Sequence, residues 1–121
     1  MKNLRGTYTV IITPFTEDGT MVNESMLRWL VDFQISEGIH GIIALASNGE
    51  FLSLSDEERH EVARIVVDQA AGRVPVVIGT AAESTTDVIR YTKDAELVYP
   101  QSSTTFFSIA PLLVHNRHHV L

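Results

Sequence analysis

Apolar positions along this chain alternate between short unbroken runs and stripes of helical period. "YTVIIT", Tyr8 to Thr13, is rich in β-branched residues and stopped by Pro14, and it reads as a buried strand. "EDGT" follows as a turn. Asn23 then caps a helix whose apolar stripe is Leu27, Leu30, Val31 and Ile35, closed by Gly38. "HGIIALA" is a second short apolar strand. Ser55, with Glu58 three residues on, makes a capping box in which each side chain satisfies a backbone N–H near the other. The helix it opens carries Val62, Ile65, Val66 and Gln69–Ala70 on one face and ends near Gly72. "VPVVIGT", Val74 to Thr80, is a third strand, and Ser84 or Thr85 caps a third helix running through Ala95.

Strand and helix alternate three times, which is the pattern of a parallel sheet with crossover helices. The strand centres Val10, Ile43 and Val77 lie 33 and 34 residues apart. Each unit opens on a β-branched strand, so the period is not that of a helical repeat. Strands this apolar are covered on both faces, as in a doubly wound sheet or a (βα)8 barrel, and periodicity alone does not choose between the two.

Composition narrows the partners. The chain has 121 residues, enough for one domain, with 45% apolar and 20% charged residues, as in ordinary globular proteins. A net charge of −6 argues against nucleic acid or an anionic membrane as the main partner, since phosphate binding needs a basic face. Without cysteine there is neither a disulfide framework nor a thiolate metal site. "MKNLRGTYTV" lacks the apolar core of a signal peptide, and no apolar run reaches membrane-spanning length, so a cytoplasmic protein is the default expectation. The composition is also uneven. All fifteen acidic residues lie between Glu17 and Glu96, whereas the last 25 residues hold no acid, lysine or glycine and only one formal charge, Arg117.

In a parallel α/β fold, ligands bind beyond the carboxyl ends of the strands. Three junctions occupy that place: Thr13-Pro14-Phe15, Ala46-Ser47-Asn48-Gly49-Glu50 and Gly79-Thr80-Ala81-Ala82. Their hydroxyls, small side chains and open N–H groups suit a carboxylate or another anion held without lysine or arginine. The same residue types are also ordinary loop formers.

The ordered combination is more specific. "VIITPF" after the first strand, "ASNGEF" leading into the "EER" helix start after the second, and "AGRVPVVIGTAAESTTDVI" at the third resemble the dihydrodipicolinate synthase/N-acetylneuraminate lyase family of class I aldolases. The resemblance covers roughly residues 5 to 96. It implies the first three βα units of a (βα)8 TIM barrel over residues 1–96, with 97–121 as a divergent, non-family tail. It implies a pyruvate-type 2-oxo acid as the small-molecule partner, bound as a lysine Schiff base, with no cofactor and no metal. Carried over, Ser47 and Asn48 bind the substrate carboxylate and Thr13 lines the pocket. Gly49 gives the tight turn, and Glu50 supports the loop by accepting backbone hydrogen bonds. Ala46 stands where the family usually has glycine, and its methyl would crowd the pocket floor. Intact members of the family form homo-oligomers.

A class I aldolase also needs an amine nucleophile and a general acid/base. In the family these are a lysine at the end of the sixth strand and a tyrosine at the end of an earlier one, both past the third unit. This sequence has only Lys2, before the first strand, and Lys93, on the polar side of the third helix. Tyr99 does not sit in the family's "PPYY"-like context. No catalytic residue is therefore assigned, and the chain is expected to be inactive alone. A small binding or interaction protein built on a partial barrel is the alternative. At Leu97 the family pattern, the acids and the glycines stop together; if the Leu97 codon ends in G, reading from that base gives a "GISAV"-like turn and strand. The tail is accordingly expected to be out-of-frame text. His115, His118 and His119 have a spacing that would share a helical face, but no acid lies near them and Pro111 interrupts the helix, so they are read as adventitious.

Overall fold

The β-branched runs and capped helices fall where their periods place them. The computed structural model describes residues 4–98 and 104–107, with elements in the order β1 (Tyr8–Val10), α1 (Glu24–Ser36), β2 (Gly41–Ala44), α2 (Asp56–Ala70), β3 (Val76–Gly79), α3 (Thr85–Val98) and β4 (Thr104–Phe107). Lys2, Tyr99, His115, His118 and His119 lie outside the described residues.

Capping fixes the helix starts. The Asn23 side chain accepts from the Met26 N–H at 3.0 Å. At α2 both halves of the capping box form, with the Glu58 N–H donating to Ser55 Oγ at 3.2 Å and the Ser55 N–H donating to Glu58 Oε2 at 2.8 Å. α2 ends on Ala71, which takes the left-handed cap conformation at φ 48° just before Gly72.

The four strands form one sheet in the order β1-β2-β3-β4, every neighbour parallel. Register aligns Val10, Ile43, Val77 and Thr105 in one row and Thr9, Ile42, Val76 and Thr104 in the next. Thr9, Ile42 and Val76 of the second row face the helices. Ile42, Ala44, Val76 and Ile78 are buried in one cluster with Leu27 and Val31 of α1 and Val62, Ile65 and Val66 of α2. Thr9 is hydrogen-bonded to Gln34 of α1, and Thr92 of α3 donates to Thr80 at 3.0 Å. All three helices therefore cover the same side of the sheet. A doubly wound sheet puts helices on both sides, so this placement chooses the barrel. The opposite face carries Val10 and Ile43, both half-buried, and Ile12, which is 53% exposed.

One element exceeds the expectation of three units. β4 runs parallel to β3, pairing Thr104 with Val76 through Phe107 with Gly79, inside the segment read as a divergent tail. Threonine and phenylalanine favour strands, and β3 presents a row of unpaired N–H and C=O groups on which a strand can add.

Candidate functional site

The loops at the carboxyl ends of β1 and β2 are joined by a buried hydrogen bond. Thr13 is 7% exposed, and its hydroxyl donates to the carbonyl of Gly49 at 2.8 Å, across 36 residues of sequence. Gly49 packs so closely beneath β1 that an added Cβ would meet the Ile11 carbonyl oxygen and Thr13 Oγ1, each at 3.3 Å. Thr13 and Gly49 are thus brought into direct contact.

The β2 loop turns out of the sheet by an unusual route. Leu45, buried, adopts φ 60°, a left-handed conformation that costs a residue with a Cβ about 1 kcal/mol or more. Two successive 3₁₀ turns follow, Ser47–Gly49 and Phe51–Ser53. The Gly49 N–H donates to Ala46 O at 2.9 Å and the Glu50 N–H to Ser47 O at 3.0 Å. Ala46 is extended, at φ −102° and ψ −171°, so its backbone is unstrained where the family has glycine.

This geometry says how the turn is made at Gly49 and Glu50. Gly49 is not the residue that needs glycine's backbone freedom; the left-handed position of the turn is Glu50, at φ 54°. What Gly49 supplies is room for the close approach to β1. Glu50 supports the loop through its backbone, whose carbonyl accepts from the Ser53 N–H at 2.9 Å. Its carboxylate is exposed and makes no hydrogen bond among the described residues.

Ser47 and Asn48 stand at the outer corner of the first 3₁₀ turn, both exposed. Neither their side chains nor their own N–H groups have a partner among the described residues. Four donors on adjacent residues are therefore free at the end of the parallel strands. The third junction is closed: Thr80 is 2% exposed and Ala81 4%. Lys93 lies exposed on α3.

Behind the loops sits the arginine of the "EER" helix start, to which the motif assigns no role of its own. Arg59, on the first turns of α2, is 6% exposed, and its Nη2 donates to Ala81 O at 2.7 Å. Its guanidinium stacks on Tyr91, 4.2 Å from the ring centroid, and on Phe51 at 5.3 Å. Burial pulls its pKa down from the ordinary value. The Tyr91 hydroxyl donates to Asp56 at 2.5 Å, and with Arg90 it holds the Asp56 carboxyl below the usual carboxylate range. That same bond, together with burial, raises Tyr91. The available signal was an arginine inside a capping-box turn, eight residues after an aromatic.

Among the described residues no cluster of three or more histidine or acidic side chains could hold a metal, and no helix is long and apolar enough to cross a membrane.

Consecutive parallel strands with helices on one side define the opening units of a (βα)8 barrel, with a polar turn at the strand ends. The chain belongs to the dihydrodipicolinate synthetase family, which matches residues 3–111. The match runs past Glu96 and through β4. The chain is 43% identical over 95 residues to 4-hydroxy-tetrahydrodipicolinate synthase of Methylococcus capsulatus, which spans 78% of this chain and 32% of that protein. It superposes on dihydrodipicolinate synthase of Acinetobacter baumannii, solved with pyruvate, at a TM-score of 0.77 and 34% identity, covering 80% of this chain and 33% of that one. A prophage protein of the same family from E. coli K12, also in complex with pyruvate, matches at a TM-score of 0.71 and 35% identity, over 76% and 30% of the two chains. The chain spans about a third of the length of these relatives.

Proposed function

We propose that this chain provides the carboxylate-binding part of a 2-oxo acid site of the Schiff-base aldolase type, and that it does not form the Schiff base by itself. The observation that carries this is the Ser47–Asn48 turn, with four unpartnered donors at the strand ends and a buried tie beneath it. A carboxylate accepts several hydrogen bonds at once, and bonds to an ionised acceptor are shorter and stronger than neutral ones. The Ser47 hydroxyl, the Asn48 amide and the two N–H groups suit that role without a cation. Two relatives solved with pyruvate support the choice of ligand.

Imine formation requires a neutral amine beside the C2 carbonyl, which in a buried site means a lysine of lowered pKa. Lys93 is exposed on α3 and not in a buried site. The synthase activity named for the relatives therefore calls for a lysine other than Lys93 and for an acid/base group. We place the protein in the cytoplasm.

Pyruvate with borohydride, followed by mass spectrometry of the intact chain, separates binding from imine chemistry. The expected spectrum has no reduced adduct; an adduct on this chain overturns the second half of the proposal. Pyruvate titration followed by amide resonances tests the first half. Ser47→Ala and Asn48→Ala are each expected to weaken binding about tenfold, the size of one charge-assisted hydrogen bond. Wild-type affinity in the double variant would remove the turn from the site.

A further inference from the structure

Arg59 is the one buried charged side chain among the described residues, and no carboxylate there comes within ion-pairing distance of it. Taking a cation out of water is costly, and an apolar side chain of similar size usually serves packing as well or better. What an apolar residue does not supply is the guanidinium's planar fork of donors. Here that fork reaches two backbone carbonyls on different loops. Nε donates to Phe51 O at 3.4 Å, and Nη2 donates to Ala81 O at 2.7 Å. Phe51 directly follows Glu50, the left-handed residue that ends the Ser47–Gly49 turn. Ala81 lies two residues beyond β3.

We infer that Arg59 is a positioning residue that sets the Ser47–Asn48 turn against the end of β3 for a 2-oxo acid carboxylate. The inference rests on the binding role proposed above for that turn. The Phe51 and Tyr91 rings lie against the guanidinium carbon, and two of its nitrogens reach the carbonyls. The group does not touch the ligand; it fixes where the free donors stand. A lysine keeps the charge, but its single ammonium does not reproduce the fork.

Arg59→Lys in the full chain separates positioning from stability. Three quantities are read: the pyruvate dissociation constant of the folded protein, amide exchange of residues 47–53 without ligand, and amide exchange of α1. The expected result is binding weakened about tenfold and 47–53 exchange faster by about the same factor, with α1 unchanged, because local openings are uncoupled from the rest of the fold. A folded variant with wild-type affinity and wild-type exchange at 47–53 overturns the inference, as does exchange that rises equally in α1. If the wild-type chain binds no pyruvate, the binding role of the turn has failed, while exchange at 47–53 still decides whether Arg59 holds the loops. Should the lysine variant not fold, Tyr91→Leu removes one stacking face and keeps both carbonyl contacts. It is expected to shift 47–53 exchange about threefold in the same direction, and no shift there overturns the inference too.

Discussion

Gly79→Ala is expected to cost this chain about 3 kcal/mol or more, at the upper end of what overpacking does to a buried position. An alanine Cβ there would stand 2.1 Å from the Leu45 carbonyl oxygen, 2.8 Å from its carbonyl carbon and 3.2 Å from the Ala44 oxygen. All three are backbone atoms of the β2 end, so no side chain can rotate away. The backbone has little room to move either. Ala44 pairs with Ile78 in the ladder, and Leu45 already holds a left-handed conformation. Relief would have to come from parting β2 and β3, or from swinging the turn that carries Ser47 and Asn48. Gly41→Ala is the instructive contrast. Its Cβ would lie 1.9 Å from a Tyr8 ring carbon, but that ring is half-buried and can turn on its side-chain torsions. Chemical denaturation followed by circular dichroism compares the two, and a Gly79→Ala midpoint at or above that of Gly41→Ala would show the β2 exit to be softer than its contacts indicate.

The sequence named Gly79 as part of a ligand junction and not as a point of close approach, and the reason bears on what a sequence exposes at all. Periodicity reports which side of an element is apolar, and here it reported well. Val62, Ile65, Val66 and Ala70 are buried on one face of α2, as are Leu27 and Val31 on α1. Caps are local chemistry, and Asn23, Ser55 and Glu58 act where they were expected. Gln69 shared the α2 stripe by position, yet its amide donates to Asp32 Oδ2 at 2.7 Å, because α1 offers a polar partner across the helix pair. The placement of all helices on one side of the sheet is a tertiary fact with no signature in any single strand. Close approaches are of the same kind. Gly79 against Leu45 and Arg59 against Ala81 join residues 34 and 22 apart, respectively (79 − 45 and 81 − 59), and only the fold brings them together. Ser47, Asn48 and Thr13 were legible through the family motif; what each one touches was not. β4 went unread because the change in composition after Glu96 outweighed the strand propensity of its threonines and phenylalanines.

Thr13→Val removes the tie beneath the candidate site while keeping its shape. Valine keeps the β-branching of threonine, but the hydroxyl that donates to Gly49 O at 2.8 Å is lost. Gly49 is buried, and leaving its carbonyl without that donor costs about 1–3 kcal/mol. We therefore expect a loss of about 2 kcal/mol in stability and pyruvate binding weaker by at least about tenfold, since the turn bearing Ser47 and Asn48 is released from β1. Thr13→Ser restores the hydroxyl without the methyl and should return most of the affinity. Denaturation midpoints and pyruvate titrations of the two variants distinguish the possible roles of this residue. Loss of both stability and affinity in Thr13→Val fits a tie that positions the turn. Loss of affinity at unchanged stability would mean that the hydroxyl meets the ligand itself, the pocket-lining role that the family motif implies. Wild-type values for both would leave Thr13 as strand packing, with the turn held by the backbone of Glu50 and by Arg59.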